Sequence, residues 1–177
     1  MSAATQPLVG PPARDEAAEY YFRYIDRITS PDVLGVLERQ ATETSAFLGG
    51  ISEERSLHRY EPGKWSMRQV LNHVTDCERV FLARAFWFAR GFDSELPSFD
   101  QNTSADAARA DDVPWADHVE EFRTVRASTL SFFRNLPQDA WLRRGIASGY
   151  PFTVRALAFI TAGHLAHHES ILRERYS

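Results

Sequence analysis

Apolar residues recur every three or four positions in four long segments of the 177-residue chain. Residues at this spacing lie on one face of an α-helix, so each segment is typical of an amphipathic helix that packs one side against a core. The predicted helices cover about residues 31–49, 67–90, 114–136 and 153–175. Four such helices in one chain predict an all-α fold, a four-helix bundle.

Residues that favour helix ends support these bounds. Ser30 precedes a proline, which is typical of a helix start, and Ser66 precedes the second long helix. Paired glycines at 49 and 50 follow the first helix, and Gly91 follows the second, where glycine commonly ends a helix. Ahead of the bundle, residues 15–28 predict a short extra N-terminal helix.

Three segments fall outside the predicted helices. Residues 1–13 are rich in alanine and proline and predict a flexible N-terminal tail, which leaves residues 14–177 as the bundle domain. Residues 51–64 form a connector. Residues 92–112 are polar and are predicted to be irregular. A connection of that length inside a compact domain is typically either functional or mobile.

The composition narrows the function classes. Hydrophobic residues make up 44% and charged residues 25% of the chain, as in an ordinary globular domain. The net charge of −4 argues against a general attraction to nucleic acid. The chain has one cysteine, Cys77, so an intramolecular disulfide is excluded. No apolar run is long enough for a membrane span and no secretory signal is recognisable, so a cytoplasmic protein is the default expectation.

The last predicted helix carries two histidines at metal-ligand spacing. His164 and His168 are four residues apart, so their rings lie one above the other on the apolar face. Two imidazoles so placed can hold one ion, and His73, on the apolar face of the second helix, is the best candidate for a third ligand. A lone histidine on an apolar face is more often a hydrogen-bonded core residue, but two adjacent rings there need partners. Three protein ligands leave coordination positions open, as in catalytic sites.

The other histidines and the cysteine lack such a context. His167 points away from the pair, which predicts a surface position or a contact with a ligand ring. His58 and His118 are interpreted as solvated. Cys77 lies on the apolar stripe, which favours a small core residue over a redox-active thiol.

The stretch YEPGKWSMRQVLNHVTDCERVF, residues 60–81, resembles the start of the second helix in the DinB-like superfamily. In those proteins a Trp-Ser pair is followed, eight residues after the tryptophan, by a metal-binding histidine, which is the spacing from Trp65 to His73. The His164-x-x-x-His168 pair resembles the family's other two ligands. The resemblance also includes residues 20–25, Arg84, Arg90 and residues 136–137, and so covers nearly the whole chain after the tail.

This resemblance implies a four-helix bundle with a divalent ion, zinc, nickel or iron, held by His73, His164 and His168. It also implies a relationship to transferases and isomerases that use a low-molecular-weight thiol such as bacillithiol, mycothiol or glutathione, and a homodimer formed through bundle helices. In other members the ligand pair is followed by Arg-Gly-Gln, whereas residues 169–171 are Glu-Ser-Ile here. The substrate of any one subfamily therefore does not carry over.

Three functions are compatible with these residues. The first is a metal-dependent transferase or isomerase in which a thiol bound to the ion loses its proton near neutral pH and attacks a small electrophilic substrate. In this hypothesis the Asp76 carboxylate orients a ligand imidazole. The alternative is that Asp76 is an acidic residue of the helix that is only solvated. Arg84 either binds a substrate carboxylate or pairs with an acid on a neighbouring helix.

The second function is a metal-dependent hydrolase. Leu165 rather than glutamate follows His164, so the general base of the H-E-x-x-H pattern is lacking. The third is a non-catalytic, stress-related metal-binding protein in which the ion only ties two helices together.

Overall fold

Residues 9–176 are described by the computed structural model, and they form seven α-helices and one β-hairpin. The helices are α1 Phe22–Ile25, α2 Val33–Gly49, α3 Glu53–Ser56, α4 Met67–Ala89, α5 Gln101–Ala108, α6 Trp115–Arg134 and α7 Val154–Arg175. The hairpin joins β1, Arg144–Ala147, to β2, Tyr150–Thr153, in antiparallel register. Short 3-10 helices cover Arg14–Glu16, Glu19–Tyr21, Ala110–Asp112 and Gln138–Leu142.

The four long helices α2, α4, α6 and α7 pack as a closed ring. Helix α4 contacts α6 and α7, and α2 contacts the same two helices. This arrangement confirms the predicted all-α four-helix bundle. Every residue from Val154 to Leu165 on α7 is buried except Arg155, because α1 covers the side of α7 that the other bundle helices leave open. None of the helices within residues 9–176 is long and apolar enough to cross a membrane.

Local hydrogen bonds set the starts of the bundle helices. The Ser66 hydroxyl accepts the Gln69 backbone N–H at 3.1 Å, and the Gln69 side chain accepts the Ser66 backbone N–H at 3.0 Å, which confirms the predicted start of α4. Thr153 accepts from Ala156 in the same way at the start of α7. The predicted start at Ser30 is wrong by two residues. Asp32 caps α2, because its carboxylate accepts the Gly35 N–H at 2.9 Å.

The predicted helix over residues 15–28 is broken into two 3-10 turns and the four-residue α1. The cause is a contact from far along the chain. The Glu16 carboxylate is buried, where it accepts from Arg155 Nε at 2.6 Å and from Thr153 Oγ1 at 2.8 Å. Reaching these partners leaves Ala17 and Ala18 in extended conformation.

The predicted flexible tail falls largely outside the described residues, which exclude 1–8. Residues 9–13 contact the bundle. The Val9 carbonyl accepts from Arg155 Nη1 at 3.3 Å, the Gly10 N–H donates to the Pro31 carbonyl at 3.3 Å, and Pro12 is buried. The domain bounds themselves stay a prediction.

The hairpin before α7 has no counterpart in the predicted elements. Ser148 and Gly149 both have positive φ angles, 55° and 78°, which is the conformation of a two-residue turn whose twist matches paired strands. Leu96 adds a bridge to Ala147, so the segment after α4 is held against the hairpin. The predicted irregular segment 92–112 is in fact partly helical, because it contains α5 and a 3-10 helix that pack on α4.

A buried ion pair ties three bundle helices together. Arg126 on α6 donates from Nε and Nη2 to the two carboxylate oxygens of Glu78 on α4, both at 2.8 Å. Their side chains are only 1% and 3% exposed. Arg126 Nη1 also donates to the Gln40 side chain on α2 at 2.9 Å. Breaking such a pair leaves an uncompensated charge in a region that excludes water.

We expect Glu78→Gln to destabilise the protein by about 3–5 kcal/mol, because the Arg126 guanidinium would lose its buried counter-charge. Urea unfolding followed by circular dichroism measures the change. The matched control is Glu38→Gln, which removes a carboxylate from the surface pair with Arg134, whose side chains are 46% and 52% exposed. That change should cost less than about 1 kcal/mol. Equal effects of the two substitutions would contradict this account.

Candidate metal centre

The packing of α4 against α7 brings the three predicted ligand rings together. His73 comes from α4, and His164 and His168 come from successive turns of α7. The ring centroids are 5.1 Å apart for His73 and His164, 4.9 Å for His73 and His168, and 4.5 Å for His164 and His168. Rings whose nitrogens share one tetrahedral ion have centroids about 5 Å apart, so this triangle has the size such a site requires.

Cys77 lies against the same cluster. It is one helical turn after His73, and its Sγ is 3.6 Å from His73 Nδ1. Potential ligand atoms of His73, Cys77 and His164 all lie within 4.8 Å of one another. The tightest set of donor atoms therefore includes the thiol, whereas the closest triangle of rings includes His168. The sequence analysis interpreted Cys77 as a core residue, and it is buried. Its position beside the candidate ligands could still have been predicted, because Cys77 follows His73 by four residues, the same spacing as between His164 and His168.

Burial keeps the imidazoles neutral. It lowers the pKa of His73 to about 4, against a smaller opposing effect of the Asp76 charge. It also lowers the pKa of His168 to about 3 and that of His164 well below its ordinary value, with smaller contributions from the neighbouring histidines. Neutral imidazole is the form that binds a cation, so these rings need not lose a proton near neutral pH. Burial raises the pKa of the Cys77 thiol to about 12, and the Asp76 charge adds to the rise.

Aromatic side chains surround the rings. The Tyr24 ring lies 5.1 Å from that of His164, and the Trp65 ring lies 5.0 Å from that of His73. Tyr24 reaches this place because Gly163 lets the backbone of α1 approach α7 closely. A Cβ at position 163 would lie 2.1 Å from the Tyr24 carbonyl oxygen. The site is therefore held by α1 as well as by α4 and α7.

Two cavities border the cluster. One, of about 210 Å³, has His164, Cys77 and Arg84 among its lining residues. The other, of about 260 Å³, is lined by His168 together with Trp65 and other residues. Small molecules can therefore approach the rings through cavities that differ in their lining.

The remaining candidates take varied positions. Asp76 makes no hydrogen bond to a histidine within residues 9–176; its carboxylate accepts from Arg79 and from Ser104 Oγ, both at 3.1 Å, and so joins α4 to α5. His167 is half-buried beside Tyr24, with ring centroids 5.5 Å apart.

His58 is exposed, as predicted. The prediction for His118 is wrong: it is 2% exposed. Its Nε2 donates to the Ala110 carbonyl at 2.8 Å, because the 3-10 helix after α5 folds over it.

Arg84 is buried, with 4% of its surface exposed. It donates from Nη2 to the Pro97 carbonyl at 3.1 Å and to Ser148 Oγ at 3.0 Å. The alternative role given for Arg84, a pair with an acid on a neighbouring helix, is not found among residues 9–176. Both acceptors lie in segments that the sequence did not place near α4.

A helical bundle that gathers three neutral imidazoles beside a thiol defines a candidate mononuclear metal-binding protein. The family profile described as the DinB superfamily matches residues 36–172. The chain therefore belongs to the DinB superfamily, as the resemblance in its sequence implied. No protein of curated function matches the sequence.

Two solved structures share the fold. YfiT from Bacillus subtilis, described as a probable metal-dependent hydrolase with an unusual four-helix bundle topology, is 15% identical, with a TM-score of 0.61 over 92% of this chain and 91% of that one. A mycothiol-dependent maleylpyruvate isomerase is 12% identical, with a TM-score of 0.64 over 82% of this chain and 61% of that one. At these identities the likeness concerns the fold.

The lowered histidine pKa values make the stability of the metal-free protein depend on pH. The unfolded chain takes up protons on these histidines below about pH 6.5, whereas folded His73 does so only near pH 4. Stability is therefore full above pH 6.5 and falls as the pH drops towards 4, by about 2 kcal/mol for His73 between pH 7 and 5. Urea unfolding in the presence of a chelator, at both pH values, measures the loss.

The loss should be smaller by about that amount in His73→Gln, which has no titrating ring at this position. His58→Gln is the control, because His58 is an exposed histidine outside the cluster. An undiminished loss in His73→Gln would contradict the assignment of its pKa to burial.

Proposed function

We propose that this protein is a divalent-metal-dependent enzyme that activates a low-molecular-weight thiol at an ion held by His73, His164 and His168. The observation that carries the proposal is the meeting of three neutral rings from two helices, with centroids no more than 5.1 Å apart, at the border of two cavities. The chemistry of the donor set fits a borderline cation, because imidazole suits zinc, nickel and iron.

The ion, when bound, stabilises the thiolate form of a coordinated thiol near neutral pH. The chain's own residues prepare this step. Burial holds the ligand rings in the uncharged form, and the aromatic rings of Tyr24 and Trp65 pack against His164 and His73. In the metal-free protein, burial raises the pKa of the Cys77 thiol to about 12, so the thiol keeps its proton near neutral pH.

The shared fold of the mycothiol-dependent isomerase supports a thiol co-substrate, and transfer or isomerisation is the reaction class that we favour. The likeness to YfiT supports metal-dependent hydrolysis as the second candidate. In the H-E-x-x-H pattern of metal-dependent hydrolases a glutamate follows the first histidine and acts as the general base, whereas the apolar Leu165 follows His164 here. An ion held by these histidines would lower the pKa of a bound thiol, so the thiol reaction would not depend on a glutamate at this position.

A homodimer, which the family resemblance implies, also stays a proposal. The candidate face lies between α4 and α6, where Phe86 is 42% exposed and its ring lies 6.4 Å from that of Phe132.

We expect one divalent ion per chain, and a loss of affinity of more than about a hundredfold in His73→Ala, His164→Ala or His168→Ala, because substituting even an outer partner of a ligand costs ten- to a hundredfold. Elemental analysis and competition with a chelator measure both quantities. His58→Ala is the matched control. Cys77→Ser separates the two possible ligand sets. Unchanged metal binding in Cys77→Ser supports the three histidines as ligands. Loss of metal binding in Cys77→Ser, together with unchanged metal binding in His168→Ala, would show that Cys77 rather than His168 is the third ligand.

We expect metal-loaded protein to consume a generic electrophile, 1-chloro-2,4-dinitrobenzene, only when mycothiol, bacillithiol or glutathione is present. His73→Ala should abolish the turnover, and absorbance of the product measures it. Hydrolysis of ester or amide panels without thiol would favour the second candidate. Absence of both reactions, with a chelator lowering the melting temperature, would contradict an enzyme and support a structural, stress-related metal site.

A further inference from the structure

Arg84 differs from the other buried arginines in its partners. Three arginines are buried within residues 9–176: Arg68, Arg84 and Arg126. Arg126 pairs with Glu78, and Arg68 pairs with Glu53. Arg84 has no carboxylate within 4.0 Å in this part of the chain, and its partners are neutral: the Pro97 carbonyl, Ser148 Oγ and the Tyr21 side chain. Because a guanidinium cannot lose its proton, the fold buries a positive charge here without a counter-charge.

The Arg84 guanidinium borders a cavity of about 210 Å³ that can hold a ligand. Its hydrogen bonds to the Pro97 carbonyl and to Ser148 Oγ both come from Nη2. The Tyr21 side chain, which lines the same cavity, also bonds the guanidinium, but burial raises the pKa of Tyr21, so this partner brings no negative charge. The hydroxyls of Tyr20 and Tyr24, 3.4 Å apart, belong to residues that line the same cavity.

The cavity joins Arg84 to the candidate metal centre. Cys77 and His164 line it as well. Arg84 follows Cys77 by two helical turns on α4, about 10 Å of rise, and helical side chains lean towards the N-terminus, so its guanidinium approaches the cluster. The volume equals that of roughly seven water molecules at liquid density, which suits a small organic molecule.

We propose that Arg84 binds the carboxylate of the substrate, so that the enzyme acts on small carboxylic acids. This inference rests on the proposed function, which places the ion at the border of this cavity. Arg84 is the only cation among the residues that line the cavity, so its single charge matches a carboxylate better than a phosphate dianion. The planar fork of N–H groups also fits the two oxygens of a carboxylate. A substrate held by this end presents its remaining atoms to His164.

The segments that hold Arg84 support this role. Pro97 lies in the segment between α4 and α5, and Ser148 lies in the hairpin turn, where its φ of 55° is left-handed. The two segments are joined to each other, because the Ser148 N–H donates to the Leu96 carbonyl at 3.0 Å. They hold Nη2 of the guanidinium at the cavity wall.

The test uses propionate as the probe and propionamide, its neutral isostere, as the control ligand, with binding followed by nuclear magnetic resonance titration of the intact protein. Charge-assisted hydrogen bonds to a buried cation predict at least about tenfold weaker binding of propionamide. Arg84→Gln should weaken propionate binding by at least about tenfold and leave metal stoichiometry unchanged. Arg90→Gln, which changes an exposed arginine at the C-cap of the same helix, should leave both unchanged.

Two further comparisons keep the test valid if Arg84→Gln does not fold. The comparison of propionate with propionamide needs only the native protein, and Arg84→Lys retains the charge while removing the fork, so it should bind propionate more weakly than native protein and more tightly than Arg84→Gln. Equal affinity for propionate and propionamide overturns the inference. Tighter binding of inorganic phosphate than of propionate overturns the assignment to a carboxylate.

The outcomes also separate this inference from the proposed function. If metal binds as proposed but Arg84→Gln takes up propionate normally, the carboxylate site is wrong and the metal centre stands. If no metal binds in the native protein but propionate binding depends on Arg84, the proposed function fails and a carboxylate site remains.

Discussion

The contact between α4 and α7 is the constraint on which the candidate site depends. Each helix offers two potential ligands one turn apart, His73 with Cys77 and His164 with His168. When the two helices pack, these pairs face each other inside the bundle, and the same burial that brings them together removes the water that would stabilise a protonated ring. A site that is neutral and ready for a cation is therefore a consequence of helix packing rather than of a separate loop.

Polar groups elsewhere in the bundle are also buried away from water and need partners within the protein. In the Glu78 and Arg126 pair, two buried charges satisfy each other through parallel hydrogen bonds, which also join α4 to α6. Gly163 contributes in a different way, because the absence of a side chain there lets α1 pack closely on α7 beside the rings. Stability of the bundle and geometry of the site thus draw on neighbouring residues of the same helices.

Outside the bundle, the hairpin and the segment after α4 give the site its chemical surroundings. Pro97 and Ser148 hold Arg84, and residues from both segments line the cavity that leads to His164. The bundle supplies the candidate ligands and also Arg84, and these additions supply acceptors that hold the Arg84 guanidinium at the cavity wall. Differences in such segments are a simple physical way for one bundle to accept different substrates.

The sequence by itself determined what local interactions decide. Ser66 and Thr153 start α4 and α7 through hydrogen bonds within one turn, and the spacing of His164 and His168 fixes two rings on one face whatever else the chain does. The placement of His73 near them followed from its apolar face and a family resemblance, because no local rule states which helices pack together. The turn at Ser148 carried a usable signal in its Ser-Gly pair, which a search for long strands overlooks.

Only the tertiary structure decided the features that depend on partners distant in the chain. The hydrogen bond from Arg155 holds Glu16 at the point where the helix predicted from its neighbours is interrupted, and the fold of residues 110–112 buries His118. The sequence also does not predict that Arg84 lacks a carboxylate partner. Acidic residues are plentiful, and only the packing decides which of them lie near Arg84. The physical reason is the same throughout: hydrogen bonds and charges act over a few ångströms in space, and the sequence reports those distances only for residues within a helical turn or two.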